Sequence, residues 1–266
     1  MTLHSRNLIR ISISLAACLV LSACFEEEET PADVAPISVA ALGNAVWPAN
    51  GTRDGDITPG TATDPFAQNN MIVLDMSGSM ASKDCAGDYF SRADAAKAAL
   101  LSWIAANPGD NVGLVSFSAE GTQLDFSLGR GDEHARQVVD RIKALGADGG
   151  TPLLSAMQIA REELENQAVR QGGTGAYRLI VITDGQASSG ESPAPVVGAV
   201  FDNPANMIEI HTIGFCIEGG HSLKDPTRVF YTDANSPDDL RAGLDATSGE
   251  ASDFDPADIN FEELEP

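Results

Sequence analysis

Residues 71–80 read MIVLDMSGSM: four apolar side chains run straight into Asp75, Ser77, Gly78 and Ser79. Successive side chains of a strand point to opposite faces of its sheet, so an unbroken apolar run implies cover on both faces. The same run ends on small oxygen-bearing side chains, and a strand built this way delivers a carboxylate and hydroxyls to the rim of the sheet. A second apolar run, LIVIT at 179–183, also stops on an acid, Asp184, followed by Gly185.

Working outward, strand patterns alternate with helical ones. RADAAKAALLSWIAAN at 92–107 puts Ala93, Ala96, Leu100, Trp103 and Ile104 on one helical face, with Ser91 placed to cap its start and Pro108-Gly109 to stop it. NVGLVSFS at 111–118 predicts a strand and 123–128 another, joined by the turn-like AEGT. Helices are expected over 133–145, 152–169 and 237–246, and further strands over 208–215 and 229–232. Strands separated by helices imply parallel units, and the hairpin-like spacing of the second and third strands implies one antiparallel edge. The expected fold class is therefore α/β: three layers, doubly wound, with a mostly parallel six-stranded sheet. The stretch carrying it is long enough for one core, with no internal repeat.

In open sheets of this kind ligands bind beyond the carboxyl ends of the strands. GGTPL at 149–153 opens a helix with Thr151, and this stretch should share a rim with Asp75–Ser79 and Asp184. Mg²⁺ takes hard oxygens in a near-octahedral shell and keeps part of its water, so hydroxyls and a few carboxylates suit it. Taken singly, the pieces have plainer readings: Ser and Gly after a strand are common turn residues, and Asp75 and Thr151 are both helix-capping types. The full set in order is what argues for a cation.

That set, Asp75-x-Ser77-x-Ser79, then Thr151, then Asp184, resembles the metal-ion-dependent adhesion site of the von Willebrand factor type A family. The likeness extends to PGDNVGLVSFS at 108–118, GGTPL at 149–153, LIVITDG at 179–185 and HTIGF at 211–215. It implies a divalent cation, Mg²⁺ or in its place Mn²⁺ or Ca²⁺. The two serines would bind it directly, and Thr151 and the aspartates directly or through water. It also implies adhesion without turnover, the open coordination position being filled by an Asp or Glu carboxylate of a partner protein. The sequence departs from the family in two places. CIEGGHSLKDPTR at 216–228 is too short and too Gly/Pro-marked for the usual helix, and ASKDCAGDYFS at 81–91 is inserted beside the expected site.

The two ends carry a separate message. Residues 1–23 place Arg6 and Arg10 ahead of an apolar run too short to span a bilayer, the layout of a secretory signal. LSAC, ending at Cys24, resembles the lipobox of bacterial lipoproteins. The expectation is an exported chain lipidated at Cys24, anchored at the cell envelope, with Phe25 in second place implying the outer membrane, facing periplasm or surface. Residues 24–69, rich in Glu, Pro, Ala, Thr and Gly, read as an acidic tether with a short ordered piece around Val46 and Trp47; 70–249 form the folded domain. Residues 250–266 form an acidic tail with seven acids in seventeen residues.

The formal net charge of -23 argues against nucleic acid as a partner. Cys85 and Cys216 are the only thiols left after Cys18 and Cys24. In an oxidising compartment they are a candidate disulfide, with two separate thiols or a zinc site involving His221 as the other readings. Two other functions remain open at this stage: a metal-assisted hydrolase of phosphates or esters, and a structural lipoprotein whose metal only stabilises the fold. No G-x-S-x-G elbow and no phosphate loop supports the first.

Overall fold

The structure, a computed structural model, describes residues 46–48, 57–217 and 219–249. The signal segment 1–23, Cys24, the tether apart from 46–48 and 57–69, and the tail 250–266 lie outside the described residues. The sheet consists of β1 (Gln68–Asp75), β2 (Asn111–Ser118), β3 (Gly121–Gly129), β4 (Ala176–Thr183), β5 (Ile208–Phe215) and β6 (Phe230–Ala234). The helices are α1 (Arg92–Ala106), α2 (Asp132–Ala144), α3 (Leu153–Gln171), α4 (Ala194–Phe201) and α5 (Pro237–Thr247). The strands lie in the order β3-β2-β1-β4-β5-β6. All neighbours are parallel except β3 against β2. This is the expected three-layer, doubly wound α/β fold with one antiparallel edge.

The central strands show why continuous apolar runs were needed. On β1, Ile72 and Leu74 enter a core with α1, α2 and α5, while Met71 and Val73 enter a second core with α3 and α4. On β4, Ile180 and Ile182 face the first core, Leu179 and Val181 the second. Each helix closes one of these faces with its apolar stripe, and Ser91 caps α1 by accepting from the Asp94 amide at 3.1 Å.

Three differences from the sequence reading have physical causes. α4 was not expected: it is short, Gly198 lowers its helical propensity and its two prolines stand only at the cap and first turn, yet Val196, Val197 and Val200 are buried. β1 begins at Gln68 rather than Met71, because Asn69 and Asn70 are buried in the strand with hydrogen bonds from their side chains, Asn70 Nδ2 donating to Asp110 Oδ2 at 2.8 Å. Asn69 Nδ2 donates to Gln171 Oε1 and to the Ala176 carbonyl, both at 2.8 Å. Part of the stretch read as a tether also packs on the domain: the Ala62 amide donates to the Arg170 carbonyl at 3.0 Å, and Gln171 Nε2 to the Asp64 carbonyl at 3.0 Å. The Trp47 ring meets Tyr177 edge-on at 5.4 Å. Between β5 and β6 the described residues form turns and no helix, as the short Gly/Pro-marked segment requires.

Candidate metal centre

β1 ends at Asp75, and the residues after it are clamped on both sides. The Met76 amide donates to the Phe117 carbonyl at the end of β2, at 3.0 Å. The Asp148 amide donates to the Met76 carbonyl at 2.8 Å, and the Gly78 amide to the Gly149 carbonyl at 3.0 Å. Gly149 can be only glycine: its φ is +88°, and a Cβ there would lie 2.7 Å from the Ala119 nitrogen. This close approach seats the loop preceding Thr151 against the end of β2, and the hydrogen bonds with Met76 and Gly78 join it to the loop that carries Ser77 and Ser79.

Within that clamp Asp75 is 0 % exposed. Its Oδ1 accepts from the Ser77 amide at 2.8 Å and its Oδ2 from Thr183 Oγ1 at 2.6 Å. Burial pushes the carboxyl up to about 6, against the lowering pull of the hydrogen bonds from Ser77 and Thr183. Ser79 Oγ donates to Asp184 Oδ1 at 2.6 Å and lies 3.1 Å from Ser77 Oγ. The other oxygen of Asp184 accepts from Arg92 Nη1 at 2.8 Å. Thr151 is 8 % exposed and is held by Ser188: its amide donates to Ser188 Oγ at 2.9 Å, and its carbonyl accepts from the Ser188 amide at 2.9 Å.

Asp75, Ser77, Ser79 and Asp184 are thus joined through direct hydrogen bonds, and Thr151 sits on the loop packed against Gly78. The donors are hydroxyls and carboxylates, with no soft ligand among them. Among the described residues no three His, Cys, Asp or Glu side chains converge on a metal-binding position. The set therefore fits a hard cation such as Mg²⁺, and the carboxyl of Asp75, buried at an energetic cost, is a group that a nearby positive charge would stabilise as the anion.

Sequence reasoning missed three residues of this centre. Thr183 anchors Asp75, Ser188 fixes the Thr151 backbone, and Arg92 pairs with Asp184. Thr183 stands directly before Asp184 in the chain, which was the available signal. Arg92 offered another, because a basic residue opening a helix opposes the helix dipole and needs a partner elsewhere.

Cys85 and Cys216 form a disulfide with Cα atoms 5.9 Å apart, so the inserted loop is tied to the end of β5. Both sulfurs are thereby committed, and His221 turns its Nε2 to the Gly185 carbonyl at 2.8 Å, so the zinc reading is not what these residues build.

A doubly wound, mostly parallel sheet with hydroxyls and carboxylates gathered where its strands end places the domain in the three-layer α/β class. Residues 70–186 match the von Willebrand factor type A domain model. The chain's solved structural relatives include the von Willebrand factor type A protein from Catenulispora acidiphila, at 19% identity and TM-score 0.53 over 69% of this chain and 42% of that one. The pilus adhesin SpaC from Lactobacillus rhamnosus GG aligns at 18% identity and TM-score 0.51 over 69% of this chain. Proximal thread matrix protein 1 from the mussel byssus aligns at 18% identity and TM-score 0.51, covering 68% of this chain and 47% of that one. The chain spans 30% of the adhesin's length, so the likeness is one of fold. No curated protein matches the chain.

Proposed function

We propose that this domain binds a protein partner through a divalent cation held by Asp75, Ser77, Ser79, Thr151 and Asp184. Mg²⁺ is the first choice of ion, with Mn²⁺ or Ca²⁺ as alternates. The observation that carries the reading is the run of contacting oxygens from Ser77 through Ser79 to Asp184, beside a buried Asp75. Asp75 and Asp184 are the only acids of the set, so the ion keeps an affinity for one more carboxylate, which an Asp or Glu of the partner supplies.

The residues of the rim bind and orient. Thr183 and the Ser77 amide hold Asp75, Ser188 holds the Thr151 backbone, and Ser79 and Arg92 hold the two oxygens of Asp184. Binding rather than turnover is favoured because, among the described residues, no histidine hydrogen-bonds to a serine or cysteine side chain. The N-terminal reading adds the setting: a bacterial lipoprotein, lipidated at Cys24 and held at the outer membrane. None of the described helices is long and apolar enough to cross a membrane.

The test has two stages. Calorimetric titration of Mg²⁺ or Mn²⁺ should show one site in the native protein and at least tenfold weaker uptake in Ser77→Ala and Ser79→Ala. The immobilised protein should then retain a partner from envelope extract in Mg²⁺ and release it in EDTA. Retention that ignores EDTA, or absence of any cation uptake, would sink the proposal.

A further inference from the structure

Arg92 opens α1, and its guanidinium reaches into the rim. Nη1 donates to Asp184 Oδ2 at 2.8 Å, Nη2 to Cys216 Sγ at 3.2 Å, and Nε to the Asp84 carbonyl at 3.1 Å. The Asp184 side chain is fully enclosed, and that of Arg92 is 13% exposed. Asp184 is therefore shared: Oδ1 faces Ser79 inside the cluster, and Oδ2 is held from outside by a permanent positive charge.

Two of the three anchors of Arg92 belong to the segments that the disulfide joins. Asp84 directly precedes Cys85, and Cys216 is the other half of the bridge. Both cysteines hold left-handed backbone, φ 60° and 58°, which side chains with a Cβ seldom adopt and which tertiary constraint must maintain. Lys83 stiffens the same loop from within by donating to the carbonyls of Gly87 and Tyr89. The dipole of α1 gives Arg92 no reason to stand at its N-terminus, so the pairing with Asp184 is what the position provides.

We propose that Arg92 sets the cation affinity of the rim. It neutralises the outer face of Asp184, and the Cys85–Cys216 disulfide keeps it there. The ion is then held loosely by the domain alone, and a partner carboxylate gains more from completing its shell, so ion and partner strengthen each other's binding. This rests on the cation reading above.

The experiment is Mn²⁺ calorimetry on the disulfide-bonded protein, comparing the native form with Arg92→Gln, which keeps a donor but loses the charge, and Arg92→Lys, which keeps the charge but loses the fork. Arg92→Gln should bind about tenfold more tightly, the order expected for removing one charge close to a divalent ion under water-like screening. Arg92→Lys should stay within about threefold of native. Reducing the disulfide should move the native affinity toward that of Arg92→Gln. Thermal unfolding in EDTA checks the fold of each variant, and Arg92→Met is a second neutral form should the glutamine variant melt early. Affinity in the neutral variants that equals or falls below native overturns the proposal, as does a lysine variant that tightens equally. Affinity unchanged by reduction overturns the role of the disulfide. No uptake by any form overturns the cation reading itself.

Discussion

The body and the end of β1 are adjacent in the chain and are held in place by opposite means. Met71 to Leu74 are buried because they are apolar, and each removes its own surface from water. Asp75 is buried just as deeply although it is charged, and it stays there only because Ser77 and Thr183 direct donors at it. Burial of the first kind makes the sheet. Burial of the second kind costs stability unless a partner or ion repays it, and it marks where the fold serves something other than itself.

Substitutions on the two sides of this boundary should behave differently, and the largest effect belongs to the apolar side. Ile72→Ala should cost about 2–5 kcal/mol in denaturant unfolding, by the same amount with and without a divalent cation. A loss that shrank on adding cation would place Ile72 in the service of the rim and blur the distinction. Next, at a cation concentration about a hundredfold above its dissociation constant, the native protein should gain about 2.7 kcal/mol, and Ser79→Ala should gain much less. Equal gains in both would remove Ser79 from the centre.

Thr183→Val keeps the shape and removes one donor from a buried carboxylate, so about 1–3 kcal/mol should be lost in chelator. A neutral result would mean that Asp75 does not depend on Thr183.

The smallest effect should come from the far end of the sheet, at His211. Burial holds His211 below its ordinary value of 6.5, against the raising influence of Glu209. Protonation therefore favours the unfolded chain: the contribution of His211 to stability is complete above that ordinary value and declines as pH falls through and below it. In chelator, the unfolding midpoint of His211→Asn should fall less between pH 7.5 and 5 than that of the native protein. Parallel slopes would remove His211 from the account.

Much of this boundary was legible in the sequence, because both halves are local. Period-2 burial of unbroken apolar runs gave the sheet, and the oxygen-bearing residues that end MIVLDMSGS and LIVITDG gave the rim. What was not legible depended on distance or on propensity overruled by packing. Asn69 and Gln171 are 102 residues apart in sequence, and only the fold shows that each satisfies the other. The helix Ala194–Phe201 is apolar on nearly every side and carries proline and glycine, so no periodic signal was present for it. The Arg92–Asp184 pair crosses 92 residues, and its sequence trace was only a basic residue at an unfavourable helix end.

The most direct measurement is anomalous diffraction from crystals soaked in Mn²⁺. One strong peak is expected in direct contact with Ser77 Oγ and Ser79 Oγ, beside Asp184 and Thr151. A clean map at that position, or a peak held by other residues, would contradict it.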